Sequence, residues 1–517
     1  MSTPPTGAEV TQAPSLWGAA ITRRLGGPLG RHAAPGGVWL NGAMWLVLIG
    51  AVTWIVLMLR QLPCRQTVAG QTINTFVRMC YSDIPVLYQV RGQAQGQAVY
   101  LATDWEYPVL SGAFVEVARF LTDLLGFRSG PEVDGQRALD NANVYFAVTA
   151  CLLYVCFAVL VEVHRRLAAG HGWRTGLMLA VSPIVIAEGL INWDLFAVML
   201  TSLALYQWSR RRPGVAGLVL GLAVAAKLYP LFLLGPLLLL CLRAGRLRAY
   251  GQLLGGAVVS WLAVNVPLYL ATPSGWRYFW TFNSDRGADL GSIWYVLKLG
   301  GLELSVGAVG ALSFGIFGAL CAAIAALCLL APERPRVGQV AFLVVAAFLL
   351  VNKVYSPQYA LWLLPLLLLA RPKLRDVVTY TVAELAYFAA IWGHLAGTLV
   401  PGGGGPDRVY WLAVMLRAGV TLWLCVVVAI DVLSPGDDPL RGVVPGARQA
   451  DDEIGGVLDG APDAPFFARL VATVGPAPVV AGGPGAAPAS AEVAPPAAAV
   501  AAAPVAPASG TDPGLAE

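Results

Sequence analysis

"WLNGAMWLVLIGAVTWIVLML", residues 39–59, decides the fold. The run carries no acid and no base, and it is long enough to cross a bilayer core, which takes about 20 apolar residues. Comparable runs recur as far as residue 430. The 517-residue chain is 57% hydrophobic and only 12% charged, with a mean hydropathy of +0.66. A soluble chain carries roughly twice that charged fraction. The runs are continuous rather than alternating, which argues for helices and against a transmembrane β-barrel. The expected class is an all-α polytopic membrane protein embedded in a lipid bilayer.

Further spans are expected near 143–163, 174–191, 193–208, 214–227, 229–242, 251–271, 305–331, 338–352, 358–370, 376–396 and 409–430, about twelve in all. The run 214–242 is broken by "KLYP" and reads as a tight hairpin or a broken helix. "HRR" (164–166), "SRRRP" (209–213), "RAGRLR" (243–248), "PERPR" (332–336) and "RPKLR" (371–375) fall at every second loop. The positive-inside rule makes those loops cytoplasmic and puts both termini inside. The alternate loops are then external, including a long first one at about 60–140. Within it, "YPVLSGAFVEVARFLTDLLGF" has helical apolar spacing and reads as a helix on the membrane surface.

Three regions follow: a loosely ordered cytoplasmic leader over 1–38, a transmembrane domain over 39–432, and an Ala/Pro/Gly-rich tail over 433–517. The tail's composition predicts disorder. No cleavable signal peptide is read, since the first apolar run is too long and lacks a small-residue cleavage site. The net charge of +4 brings no basic patch of the nucleic-acid-binding kind, so nucleic acid is not an expected partner. Six of the eight cysteines fall in or beside apolar runs. Cys64 and Cys80 instead flank one external segment, where a disulfide would persist; two free thiols are the alternative.

The external loops hold the mixed chemistry. "CYSDIPVLY" (80–88) presents Asp83, with a proline that biases Ile84 toward extended backbone; a solvated loop acid or a helix cap is the plain alternative. "TDWEYPVLSG" (103–112) adds Asp104, Glu106 and Tyr107, with Asp104 a possible helix cap. "EGLINWDLF" (188–196) puts Glu188 and Asp194 at a turn, where Asn192 or Asp194 could cap a helix. "AAKLYPLF" (225–232) offers Lys227 as a snorkelling cation or a phosphate contact. "NSDRGADLGSIWY" (283–295) brings Arg286, whose guanidinium can bind two phosphate oxygens at once. "NKVYSPQYALW" (352–362) adds Lys353, Tyr355, Gln358 and Tyr359. His394 is the one histidine expected outside, and usually such a residue is structural. Glu384 and Arg417 lie inside the last two spans, where mutual pairing is the simplest account. There is no P-loop, dinucleotide fingerprint, G-x-S-x-G or H-E-x-x-H, and no external D-x-D. Neither a cofactor nor a metal site is indicated.

Taken in order, "CYSDIPVLY", "EYPVLSG", "NWDLFAV", "AAKLYPLF", "NSDRGADLGSIWY" and "NKVYSPQYALW" resemble the GT-C superfamily of polytopic glycosyltransferases, and more narrowly glycosyltransferase family 87 of actinobacteria. The resemblance covers about residues 40–430. It implies a polyprenyl-phosphate mannose or arabinofuranose donor, a lipid or glycan acceptor of the cell envelope, and an inverting reaction at the outer face of a bacterial plasma membrane. It also implies an essential acid in the first external loop, which matches Asp83. On that basis Asp83 is the expected general base, and Arg286, with Lys353 and Lys227 behind it, the expected phosphate contact. Asp194 and His394 are candidates for orienting sugar or acceptor, and Tyr81, Tyr107 and Tyr355 for packing against the sugar. The competing class is a transporter or flippase of a lipid-linked sugar, which would be expected to carry polar groups at the bilayer midplane and often repeats.

Overall fold

The computed structural model describes residues 42–168, 172–401, 407–441, 452 and 454–474. The leader 1–38 and most of the expected tail lie outside them. Among the described residues every regular element is a helix, and the only extended pairing is an isolated bridge between Val99 and Thr103.

The chain opens with α1 (Gly42–Gln61). The first long connection carries α2 (Asp83–Val90) and α3 (Val109–Leu124). Next come α4 (Gly135–Leu167), α5 (Gly172–Ala180), α6 (Pro183–Glu188), α7 (Asp194–Ser209), α8 (Pro213–Ala226), α9 (Leu234–Arg243) and α10 (Leu247–Ala271). The second half runs α11 (Pro273–Asp285), α12 (Ile293–Leu299), α13 (Val306–Leu330), α14 (Val337–Val351), α15 (Ala360–Ala370), α16 (Leu374–Leu395), α17 (Arg408–Leu433) and α18 (Pro465–Val474). Five of these, α1, α4, α10, α13 and α17, are long and apolar enough to cross a membrane by length and composition. Every expected span coincides with helix, but several are short or broken. Ser182-Pro183 separates α5 from α6, and α8 stops at Lys227 before a 3-10 turn over Tyr229–Leu233.

Composition sorts the helices by depth. "VGQVAFLVVAAFLLV" in α14 and "ALWLLPLLLLA" in α15 are apolar all round, and both are buried nearly throughout; a helix without a polar face belongs inside a bundle. Helix α13 is as apolar, yet only 6% of its span window is buried, so its apolar surface is turned outward from the bundle. Helices α8 and α10 meet through Gly217 and Gly221. A Cβ there would lie 2.0 Å from the Leu253 carbonyl oxygen and 2.2 Å from that of Ala257, so only glycine permits the approach. Small residues four apart are the usual device for close helix contact in lipid.

Helix α3 does present an apolar side outward, with Val117, Phe120 and Leu124 exposed, but its Ser111, Gly112, Val115, Ala118 and Thr122 are buried against the bundle. One face of the helix is therefore packed on the bundle and the other is turned outward.

The opposite end of the bundle departs from the composition-based reading of the tail. Arg336 there is buried and holds Asp438 through Nε at 2.8 Å and Nη2 at 2.9 Å. Arg243 holds Asp463 at 2.7 Å, the Val337 amide donates to Asp452 at 2.8 Å, and Ile454 and Leu458 enter the core. Mean composition gave no sign of this, because three acids and two aliphatic residues scattered along a Gly/Pro-rich stretch make the contact.

Candidate active site

Asp83 is placed by its neighbours' backbones. Ser82 Oγ donates to the Leu190 carbonyl at 2.6 Å, and the Asp83 amide donates to the Ile191 carbonyl at 2.8 Å. Ser82 also caps α2, accepting from the Ile84 amide, so Asp83 is the first helical residue and not the cap. The expectation of an extended Ile84 gives way here. Pro85 sits in the first turn, where its missing N–H has no helical partner to lose. Upstream, Cys64 and Cys80 are joined by a disulfide with Cα atoms 5.8 Å apart, which ties the end of α1 to the residues just before Asp83.

Both carboxylate oxygens of Asp83 accept hydrogen bonds. Tyr81 Oη donates to Oδ1 at 2.8 Å, and Asn192 Nδ2 donates to Oδ2 at 3.0 Å. Asn192 Nδ2 also reaches Tyr107 Oη at 2.6 Å, and that hydroxyl lies 3.5 Å from Asp83 Oδ2. Burial pushes the Asp83 pKa above the usual carboxylate range, and the nearby Glu106 charge adds to this. The hydrogen bonds from Tyr81 and Asn192 and the Lys227 charge pull the other way without cancelling it. Burial beside Asp83 also raises the Tyr81 and Tyr107 phenols, which therefore stay protonated as donors.

Tyr107 links the acid to the first cation. Its backbone is pinned by Tyr100 Oη, which donates to the Tyr107 and Pro108 carbonyls at 2.8 and 2.7 Å. Lys227 Nζ sits 4.8 Å from the centre of the Tyr107 ring. It is held at 3.2 Å by Asp194 Oδ2, while Asp194 Oδ1 accepts from Trp362 Nε1 at 2.6 Å. Asp194 begins α7 but makes no capping bond. Its carboxylate is committed to a lysine and an indole.

Asp83, Tyr81, Tyr107, Lys227, Arg286 and Lys353 all line one cavity of about 610 Å³, a size typical of ligand sites. Aromatic rings make up much of the remaining wall, Tyr359 and Trp362 among them, with ring centroids 3.9 Å apart. Arg286 is half-exposed and pairs with Asp289 at 2.7 Å. Lys353 Nζ donates to the carbonyls of Asn283 and Ser284 at 3.1 and 3.2 Å, and burial lowers its pKa.

Three expected residues lie off the cavity wall: Asp194, which holds Lys227, and two others. Tyr355 is fully buried and donates to Glu384 at 3.0 Å. Nδ1 of His394 pairs with Asp407 at 2.9 Å and its ring stacks on Tyr410. Glu384 and Arg417 both meet Tyr355, Glu384 at its hydroxyl and Arg417 at its ring, whose centre lies 3.5 Å from the guanidinium carbon. Conversely, Asn192, read from sequence only as a possible helix cap, and Trp362 and Glu106, given no role there, emerge as site residues. Asn192 and Trp362 stand inside the quoted motifs, and Glu106, which lines the cavity and pairs with Arg91 at 2.8 Å, directly precedes Tyr107. Among the described residues no cluster of three or more His, Cys, Asp or Glu side chains could hold a metal ion.

The fold and cavity define a helical membrane protein with two acids, Asp83 and Glu106, and three cations lining one cavity. Residues 139–352 match the family model described as Glycosyltransferase family 87, the family that the quoted motifs resemble. No curated protein matches the chain. Among solved structures, the crystal structure of ArnT from Cupriavidus metallidurans bound to undecaprenyl phosphate is 16% identical, with 78% of this chain and 82% of that one covered and a TM-score of 0.37. A likeness that loose transfers no residue's role.

Proposed function

We propose that this protein moves a mannosyl or arabinofuranosyl residue from a polyprenyl-phosphate donor to a hydroxyl of a cell-envelope glycolipid or glycan, with inversion, at the outer face of a bacterial plasma membrane. The observation that carries this reading is the division of one cavity between a hydrogen-bonded carboxylate, Asp83, and the cations Lys227, Arg286 and Lys353.

The chemistry needs both halves. The acceptor oxygen attacks the anomeric carbon, and the bond from that carbon to the phosphate oxygen breaks, with its electron pair leaving on the phosphate. Asp83 takes the acceptor proton as general base. Its two oxygens are oriented by Tyr81 and Asn192, which leaves it as an acceptor. Charge that builds on the departing phosphate is met by fixed cations. Lys227 is held for this by Asp194, which is a positioning role and not a sugar contact. Arg286 exchanges Asp289 for the phosphate, and the Tyr107, Tyr359 and Trp362 rings supply flat apolar faces for a sugar.

The reading is tested with membranes containing the full chain, labelled polyprenyl-phosphate mannose or arabinofuranose, and endogenous acceptors. Transfer from one donor establishes the reaction and names the sugar. Uptake of intact labelled donor across the membrane without transfer would favour the flippase reading instead.

A further inference from the structure

The segments that carry Arg286 and Lys353 are sewn together behind the cavity wall. The Asp289 amide donates to the Lys353 carbonyl at 2.9 Å, and the Tyr355 amide donates to the Leu290 carbonyl at 2.9 Å. These bonds make a two-stitch seam between residues 283–292 and 352–356. At its end sits Gly291, with φ +74°, where a Cβ would lie 2.0 Å from Tyr387 Oη and 2.1 Å from the Tyr355 carbonyl oxygen. No side chain fits there, and the seam closes only with glycine.

Four buried side chains from the last two long helices grip this seam. Tyr387 Oη donates to the Tyr355 carbonyl at 2.7 Å, and Tyr410 Oη accepts from the Gly291 amide at 2.7 Å. Arg417 donates to the Gly291 carbonyl at 3.2 Å and places its guanidinium carbon 3.5 Å from the centre of the Tyr355 ring. Glu384 takes the Tyr355 hydroxyl. Glu384 and Arg417 are costly groups to bury, and neither lines the cavity. Atoms of both, Glu384 Oε2 with Arg417 Nε and Nη1, have no hydrogen-bond partner. A purely structural seam would be served as well by apolar packing.

We infer that Arg417, Tyr355 and Glu384 form a positioning set for the cavity's cations, fixing the relative placement of Arg286 and Lys353 through the Gly291–Tyr355 crossing. The inference rests on the proposed role of those cations toward a lipid-linked phosphate. It makes Tyr355 and the Glu384–Arg417 pair determinants of donor phosphate affinity although none of them touches the donor.

The test is a thermodynamic cycle on the purified full chain, with a polyprenyl monophosphate as probe. Tyr355→Phe and Arg417→Lys are made in the wild type and in an Arg286→Ala/Lys353→Ala background, and each variant is first checked for an unfolding transition. Either substitution is expected to weaken binding about 10-fold in the wild type and to add nothing in the cation-free background, the mark of coupled residues. Unchanged affinity, or an equal loss in both backgrounds, overturns the inference. Should the wild type bind no polyprenyl phosphate, the donor reading fails, and amide hydrogen exchange still decides the seam. Faster exchange at both 289–292 and 353–356 in Arg417→Lys supports it, and unchanged exchange at either overturns it.

Discussion

Asn192 Nδ2 donates at once to Asp83 Oδ2, 3.0 Å away, and to Tyr107 Oη, 2.6 Å away. One amide thereby fixes the acid and the aromatic ring that carries Lys227 on its face. Its own Oδ1 accepts from the Trp193 amide at 2.6 Å, so the side chain is not free to turn.

Removing that amide has a signed consequence for pH. A bond to the charged form of Asp83 is lost in Asn192→Ala, so a pKa that burial has already raised climbs further. Activity falls as pH drops through that pKa, because a protonated acid accepts no proton. The acid limb of kcat against pH therefore moves to higher pH, and the plateau falls about 10-fold. A limb that stays in place would show that Asp83 does not control it.

Asp194 and Lys227 act as one unit in this geometry. Asp194→Asn and Lys227→Ala are each expected to raise the donor KM about 10-fold, and the double variant no more than the worse single one. Additive losses in steady-state kinetics would give Asp194 a contact of its own with substrate.

The Cys64–Cys80 bond closes a loop with a sequence separation of 16, for which chain entropy suggests stabilisation of about 3 kcal/mol. The Cys64→Ser/Cys80→Ser variant should unfold at lower denaturant and lose turnover, since the crosslink ends three residues before Asp83. Equal turnover with lower stability would confine the bond to a structural role.

Much of this was legible from residue order. Long apolar runs gave the helices, and alternating basic loops grouped the motifs at one end. The cavity residues Asp83, Tyr107, Lys227, Arg286 and Lys353 all fall within the quoted stretches. Partnership was what the sequence hid. Asp194 and Tyr355 have the chemistry of substrate contacts, and only three dimensions show one spent on Lys227 and Trp362, the other on Glu384 and Arg417. Asn192 reads as a helix cap in sequence because caps are what asparagine usually does before a helix.

The docked acids at the far end make a prediction about length. Ending the chain after residue 474 keeps Asp438, Asp452 and Asp463 and serves as the reference for a shorter one. Ending it at 433 strips buried Arg336 and Arg243 of their carboxylates, and removing one partner of a buried pair costs about 3–5 kcal/mol. Equal melting of the two truncations would mean that the contacts carry no stability.

The central claim is that Asp83 removes the acceptor proton. The most direct measurement is single-turnover transfer of labelled sugar by Asp83→Asn, alongside binding of a polyprenyl monophosphate to the same preparation. The expected result is transfer reduced by at least about 100-fold, in the range of a lost general base, with phosphate binding retained because Lys227, Arg286 and Lys353 are intact. Transfer at the wild-type rate would contradict the account and return Asp83 to being an ordinary buried acid at the start of a helix.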